Sequence, residues 1–181
     1  MSSQGFTLPE MLLAMAIGSV LLLGAARTLP LLQQQNLRLQ MQVQLDEELQ
    51  QIMHTLEKAV RRAGYCHGSC VGSAMQIGGE KSSCMLIRWD ENSNGRWEGI
   101  GREESDYYGF RLRARNLEMQ RGVDRCDGDG WEKLNDPRLI NIDRFEVIGR
   151  RGQVRIALSG SAAGWPALNR SLESWITAEN L

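Results

Sequence analysis

Residues 5–26 read GFTLPEMLLAMAIGSVLLLGAA, and this stretch decides how the chain is organised. The apolar run from Phe6 to Ala26 has 21 residues. An α-helix needs roughly 20 residues to cross the hydrocarbon core of a bilayer. One carboxylate, Glu10, interrupts the run, and no further charge occurs before Arg27. A charged side chain at the bilayer centre costs about 2.5–3.5 kcal/mol on insertion scales, so Glu10 requires a specific explanation.

The apolar run has two interpretations. A cleaved signal peptide would use Gly24-Ala25-Ala26 as its small-residue cleavage site. Such a peptide begins with basic residues, whereas the first five residues here, MSSQG, contain no Lys or Arg. We therefore favour a helix that is retained in the membrane.

Composition separates an anchor from a polar domain. The 181 residues carry a net charge of -1, and only Glu10 and Arg27 are charged before Arg38. This balance gives no reason to expect a nucleic acid as partner. The sequence has no Walker loop, dinucleotide fingerprint or Ser-His-Asp pattern, and His54 and His67 are its only histidines. We therefore expect a protein that is not an enzyme.

The motif Gly5-Phe6-Thr7-Leu8, followed by Glu10 and the apolar run, resembles the N-terminus of type IV pilins and of type II secretion pseudopilins. The resemblance implies that a prepilin peptidase cleaves between Gly5 and Phe6 and methylates the new amino group of Phe6. The leader departs from the family because it lacks a basic residue.

The resemblance also implies a role for Glu10 in assembly. Its carboxylate would neutralise the amine of Phe6 on a neighbouring subunit, since ionisable groups in membranes normally face a partner. An unpaired charge in a low dielectric would penalise other registers of docking. The alternative is a carboxylate at the water interface that interacts with the positive end of the helix.

Four further segments resemble minor pilins: RAGYCHGSC, IRWDENSNGRW, ESDYYGFRL and GDGWEKL. They imply a minor pilin in the inner membrane, with a periplasmic domain, that helps initiate pilus assembly and is incorporated at the tip. Its implied partners are other minor pilins, the major pilin, the inner-membrane assembly platform and the prepilin peptidase. A minor pseudopilin of type II secretion and an anchored periplasmic binding module are the alternatives.

Helix periodicity extends beyond the apolar run. An apolar stripe at helical spacing predicts a helix from Thr7 to Ala63. Its members are Leu45, Leu49, Ile52, Leu56 and Val60. Pro30 should kink or locally melt this helix, and Gly64 should end it. The predicted segments are a leader (1–5), a transmembrane helix (6–28), an amphipathic helix (29–64) and a globular periplasmic β-rich domain (65–181).

The remainder has the short apolar runs and turn-rich connections of strands. The candidates are 85–89, 108–113, 139–142, 144–148 and 154–158. One long helix on an antiparallel β-sheet is an α+β arrangement. This fold class also agrees with the pilin-like fold that the resemblance implies.

The four cysteines follow the anchor, as disulfide-bonded cysteines of an oxidising periplasm would. Three pairings exist for Cys66, Cys70, Cys84 and Cys126. We favour Cys66–Cys70 with Cys84–Cys126, because the first pair closes a short loop at the helix end. A zinc site at Cys66, His67 and Cys70 is the alternative, and this spacing alone favours it weakly.

Residues 90–98 have the opening spacing of a calcium loop. Side-chain oxygens occur at Asp90, Asn92 and Asn94, Gly95 allows a sharp turn, and Glu98 follows. We expect calcium, if bound, on these four side chains and the Arg96 carbonyl, although the usual Glu at position 101 is replaced by Gly. Glu103 or Glu104 would have to substitute for it. The alternative is a hairpin with a tight turn at Asn94-Gly95 and with Trp89 and Trp97 on paired strands.

Overall fold

A single long helix opens the computed structural model, which describes residues 7–150 and 152–181. Helix α1 runs from Leu8 to Arg62, 55 residues, close to the predicted bounds. It continues through Pro30, so the local melting expected there is not observed. The helix ends before Gly64, which has φ +86°. A Cβ on Gly64 would lie 2.1 Å from the Asn180 carbonyl oxygen, so only glycine fits this helix end.

The chain divides into two compact units, Met1–Met41 and Gln42–Leu181. In the described part of the first unit, the helix exposes its leucines, isoleucine, valine and methionines almost without exception. By length and composition, α1 can cross a membrane, and none of its apolar window is buried. An apolar surface of this kind is stable in lipid or against other apolar helices.

Two antiparallel sheets form the second unit. The first contains β1 to β5 in sequence order, and the second contains β6 to β8 in sequence order. The strands are β1 (Met75–Gly78), β2 (Cys84–Arg88), β3 (Tyr107–Arg113), β4 (Asn116–Arg121), β5 (Glu132–Lys133), β6 (Ile140–Arg150), β7 (Gln153–Ala162) and β8 (Trp165–Thr177). A short 3₁₀ helix, Glu80–Ser82, precedes β2. The predicted α+β class is confirmed, with two sheets where the sequence predicted one.

Strand details differ from the prediction for physical reasons. The two strands predicted at 139–142 and 144–148 are one strand, β6, with a register shift between Ile142 and Arg144. Strand β4 was missed because its hairpin turn is Ala114-Arg115, at φ 47° and 62°. That turn conformation normally selects Asn or Gly, so the sequence carried no turn signal there. Strands β1, β5 and β8 were missed as well.

The core lies between the second half of α1 and both sheets. Leu45, Leu49, Leu56 and Val60 are at most 1% exposed, so the predicted apolar stripe is the buried face. Gly160 allows α1 to approach β7 closely, because a Cβ at position 160 would lie 3.2 Å from Leu49 Cδ2. The stripe thus packs against Met85, Ile87, Phe110, Ile142, Phe145, Val147, Ile156 and Leu158, among others.

Buried Arg111 on β3 forms an ion pair with β4 and hydrogen bonds with the loop that follows β4. Arg111 Nε donates to Glu118 Oε2 at 2.8 Å from the directly opposite position on β4. Its Nη1 donates to the carbonyls of Cys126 and Gly128, at 2.9 and 3.0 Å. Because each charged group has its partner, this pair fixes the 126–128 loop without leaving a buried charge unpaired.

The cysteines form two disulfides, Cys66–Cys70 and Cys84–Cys126, which is the pairing favoured from the sequence. The structure has no free cysteine in its described part. The zinc alternative at Cys66, His67 and Cys70 is wrong, because sulfurs joined to each other are not thiolate ligands. Cys84–Cys126 ties β2 to the same loop that Arg111 holds.

Truncation of the buried stripe should destabilise the second unit strongly. Leu56→Ala leaves a cavity under both sheets, and we expect it to lower the free energy of unfolding by about 2–5 kcal/mol. Gln50→Ala, on an exposed position of the same helix, should change it by about 0.5 kcal/mol or less. Urea unfolding of the full chain in detergent, followed by tryptophan fluorescence, measures both. Equal losses in the two variants would contradict the assignment of the core.

The two disulfides should contribute unequally. The loop-entropy relation gives about 4 kcal/mol for a closed loop of the size of Cys84–Cys126 and about 2 kcal/mol for the Cys66–Cys70 loop. We therefore expect Cys84→Ser/Cys126→Ser to lower the urea midpoint about twice as much as Cys66→Ser/Cys70→Ser. Peptide mapping under non-reducing conditions checks the pairing. A peptide that joins Cys66 to Cys84 would contradict it.

Candidate functional site

The first candidate site is the start of α1. The backbone N–H of Thr7 donates to Glu10 Oε2 at 2.8 Å, and the Thr7 hydroxyl donates to the same oxygen at 2.7 Å. A Thr followed three residues later by Glu is the spacing of a capping box, in which the Glu side chain accepts the N–H of the first residue. Gly5 and Phe6, the predicted cleavage and methylation residues, lie outside the described residues.

Glu10 therefore has a local role within one chain. Its carboxylate caps the helix, as the interfacial alternative requires, while the apolar side chains of the following turns are exposed. The pairing of Glu10 with the Phe6 amine of another subunit remains a prediction. A single carboxylate oxygen holds both Thr7 bonds, so a second charged partner is chemically compatible with the cap.

The second candidate site is the loop between β2 and β3, residues 89–106, which we call the acidic loop. Asp90 organises its first turn by accepting backbone N–H groups of His67, Asn94 and Gly95, at 3.0, 3.0 and 2.8 Å. Burial acts to raise the Asp90 pKa, but these hydrogen bonds outweigh it and hold the pKa below its ordinary value. Asp90 is therefore a buried, ionised carboxylate.

The two asparagines predicted as calcium ligands also accept main-chain hydrogen bonds. The N–H of Asn94 donates to Asn92 Oδ1, and the N–H of Arg96 donates to Asn94 Oδ1, both at 3.1 Å. The Asn94 amide nitrogen donates to Glu98 Oε1 at 2.7 Å. The asparagine oxygens thus hold the turn in the described conformation, and the calcium ligand set remains a prediction.

The hairpin alternative for this loop is wrong. Within residues 89–106 the structure describes no strand, so Trp89 and Trp97 are not on paired strands. Trp89 instead stacks on Tyr108 of β3, with ring centroids 3.8 Å apart. Trp97 donates its indole N–H to the Tyr65 carbonyl at 3.2 Å, just after α1. The acidic loop is therefore anchored to the helix end and to the sheet.

Glu98 lies in the interior of the loop beside Asp106, a residue that the sequence analysis did not select. Glu98 Oε1 accepts hydrogen bonds from Asn94 and, at 2.9 Å, from Arg96, whereas the buried Oε2 accepts none. Asp106 accepts the N–H groups of Glu91 and Glu98, at 3.2 and 3.0 Å. Because Asp106 lies at the end of the loop, just before β3 and eight residues after Glu98, no local spacing motif identified it.

The Glu98 and Asp106 carboxyl groups lie beside each other, because the backbone N–H of Glu98 donates to Asp106 Oδ2, and they oppose each other electrostatically. The interaction with the Asp106 carboxyl group, followed by the hydrogen bond from Asn94, lowers the Glu98 pKa. Burial, followed by the interaction with the Glu98 carboxyl group, raises the Asp106 pKa. Two adjacent carboxyl groups displace each other's pKa in opposite directions when only one proton fits between them.

The described residues were also compared for other places where side chains that can bind a metal ion lie close together. In the described ranges, Cys66, Cys70 and Asp90 are the three His, Cys, Asp or Glu residues whose ligand atoms lie within 4.8 Å of one another. The two sulfurs form a disulfide, so this group does not provide a metal centre.

Known proteins identify the same two parts of the chain. The family described as prepilin peptidase-dependent protein B matches residues 38–178, and the prokaryotic N-terminal methylation motif matches residues 1–26. Prepilin peptidase-dependent protein B of Escherichia coli (strain K12) is 48% identical over 145 residues, which cover 80% of this chain and 77% of that protein. No solved structure matches the chain.

These matches confirm the resemblance on which the sequence analysis relied. The methylation motif includes the apolar start of α1 with Glu10, and the longer match includes the acidic loop and all four cysteines. The family is one of pilin-like structural proteins and is not a known enzyme class. The chain belongs to the prepilin peptidase-dependent protein B family and is a prepilin peptidase-dependent, pilin-like protein with an N-terminal methylation motif.

Proposed function

We propose that this protein is a minor pilin that helps to initiate type IV pilus assembly and remains at the filament tip. Prepilin peptidase cleaves it between Gly5 and Phe6, and α1 anchors it in the inner membrane until it enters the filament. Residues 65–181 then form the periplasmic domain that contacts other minor pilins. The role is structural, without catalysis.

The exposed apolar half of α1 carries this proposal. Large side chains such as Leu13, Leu21 and Leu22 are 64–73% exposed, although the same helix buries its later leucines almost completely. A surface of this composition is stable in two environments, the bilayer and the interior of a bundle of similar helices. When a filament assembles from the membrane, the helix moves from the bilayer into such a bundle. The desolvation free energy of this transfer is small, because both environments are apolar.

Glu10 supplies the selectivity of that transfer. Apolar helices in lipid gain little from the hydrophobic effect when they associate, so polar contacts and close packing decide how they dock. A carboxylate on one helix and a terminal amine on the next provide one strong contact at one register. The bond from Thr7 to Glu10 keeps the carboxylate at the helix start, where the amine of a neighbour would meet it.

The two disulfides favour an extracytoplasmic position for the second unit, because such bonds persist in oxidising compartments. A minor pseudopilin of type II secretion would have the same anchor and the same disulfides. Deletion of the gene distinguishes the two roles. We expect loss of surface pili with normal protein secretion, and the reverse pattern would assign the chain to secretion.

Processing gives the first test of the proposal. We expect the mature chain to begin at Phe6 with a methylated amino group, as measured by intact mass and by N-terminal peptide mass spectrometry. Gly5→Leu should block cleavage and leave the full-length chain in the membrane. A mature chain that begins at Met1 or at Arg27 would contradict the proposal, because neither end places an amine next to Glu10.

Charge at Glu10 gives the second test. Glu10→Ala and Glu10→Gln should both insert into the membrane, because each makes the helix less charged, yet neither should support pili or co-purify with other minor pilins. Gln retains an oxygen that can accept the Thr7 N–H, so its failure would assign the defect to lost charge and not to a lost cap.

Thr7→Val is the matched control for this test. It removes the hydroxyl that bonds Glu10 and preserves the carboxylate. We expect pilus numbers in the sheared surface fraction close to those of the unchanged protein. Normal assembly of Glu10→Gln, or equal defects in all three variants, would overturn the charge-pairing mechanism.

A further inference from the structure

Three carboxylates are buried together in the acidic loop. Asp90, Glu98 and Asp106 are 1%, 4% and 1% exposed. Burial of a charge is costly unless it is paired or hydrogen-bonded, so each of these groups needs compensation. The protein compensates the burial of these three carboxylates to different degrees.

Asp90 and Asp106 are compensated by the main chain. Asp90 accepts three backbone N–H groups and Asp106 accepts two, with both Asp106 oxygens used. Main-chain donors of this kind stabilise the ionised form of a carboxyl group. The main-chain N–H groups therefore offset part of the cost of burying both carboxyl groups.

Glu98 is compensated on one side only. Its Oε1 accepts hydrogen bonds from Asn94 and Arg96, and the Arg96 side chain is 72% exposed, so solvent weakens that ion pair. Oε2 is one of three buried side-chain polar atoms without a hydrogen-bond partner in the described residues, and it is the only one that belongs to a charged group. An unpartnered, buried carboxylate oxygen beside a second carboxylate lacks a positive ligand.

Within the described residues, Arg96 is the one basic side chain that forms an ion pair with Glu98, and none forms an ion pair with Asp106. Arg121 is engaged elsewhere on the loop: it forms an ion pair with Glu91 at 2.9 Å and donates its Nε to the Ser105 carbonyl at 2.6 Å. Glu91 also accepts a hydrogen bond from the Tyr108 hydroxyl at 2.6 Å.

We propose that the acidic loop binds one calcium ion, with the carboxylates of Glu98 and Asp106 as its two anionic ligands. The donors are all oxygens, which suit hard divalent cations. Calcium accepts irregular sets of carboxylate, amide, carbonyl and water oxygens, whereas magnesium requires a tighter octahedron. This site shares Glu98 with the set predicted from the sequence and replaces Asp90 by Asp106 as the second carboxylate, because Asp90 is already saturated by N–H donors.

The direct test measures calcium binding by the full-length chain in detergent, purified with its disulfides intact and stripped with EGTA. Equilibrium dialysis should find one calcium per chain, with a Kd of about 10⁻⁴–10⁻³ M as in extracellular modules. Five millimolar calcium should raise Tm by roughly 3–6 °C, a linkage effect of saturating a site of that affinity. Sodium chloride at equal ionic strength should not. No binding at this concentration would overturn the proposal.

Glu98→Gln is the decisive variant, because it preserves the shape of the site. Its Oε1 can still accept from Asn94 and Arg96, and its amide places an N–H where Oε2 finds no donor. We expect at least tenfold weaker calcium binding, with a Tm in EGTA equal to or above that of the unchanged protein. Glu132→Gln, an exposed change of the same kind on β5, should retain the calcium response. Unchanged binding in Glu98→Gln, or lost binding in Glu132→Gln, would refute the assignment.

A measurement on the unchanged protein removes any dependence on how the variants fold. Trp89 and Trp97 flank Asp90 and Glu98 in the sequence, so tryptophan excitation should sensitise terbium bound in the loop. We expect terbium luminescence that calcium displaces at millimolar concentration and that magnesium displaces at least tenfold less effectively. Absence of luminescence, or its displacement by both ions alike, would contradict a calcium site here.

Discussion

The burial of one helical stripe against two sheets is the interaction on which the rest of the structure depends. Leu45, Leu49 and Leu56 are almost completely buried, and they contact strands of both sheets. Neither a three-stranded nor a five-stranded sheet covers its own apolar face, so the helix completes both. The end of the helix then positions the loops, since the N–H of Gly64 donates to the Arg88 carbonyl and the N–H of Asp90 to the Tyr65 carbonyl, at 2.8 and 2.9 Å.

The two halves of α1 suit different surroundings, and their sequences differ accordingly. Its first half is apolar on every side, as a helix in lipid is, whereas the second half is polar except for one stripe. Pro30 lies within the first half and is accommodated without interrupting the helix. Because only the second half belongs to the β-rich unit, changes in the membrane half can alter assembly without altering the core.

The sequence predicted the features that depend on local pattern or on a known motif. The helix bounds, the buried stripe, the cysteine pairing and the α+β class all followed from periodicity, spacing and composition. The division into two sheets did not, because β4 turns at Ala114-Arg115 and β8 has mostly exposed positions. Asp106 was missed for a different reason, since the path of the loop brings it beside Glu98, where the Asp106 N–H donates to the Glu98 carbonyl at 3.0 Å.

In the acidic loop, the local sequence pattern predicted some features of the structure and missed others. Its alternating oxygens, in Asp90, Asn92 and Asn94, were predicted as calcium ligands, and that role remains a prediction, whereas the structure shows them accepting main-chain N–H groups. The motif did not show that these oxygens would accept main-chain N–H groups, because that depends on the chain path around Gly95. Burial, which is a property of the whole fold, singled out Glu98.

The Cys84–Cys126 bond has a mechanical consequence when the chain is placed under tension. Its two sulfurs enclose 42 residues of sequence separation, including β2, β3, β4 and the whole acidic loop. A force applied between α1 and the last strand cannot extend that segment, so about 140 Å of contour length is withheld from the stretched chain. Strands β5 to β8 lie outside the covalent loop, so the disulfide does not prevent them from extending under the same force.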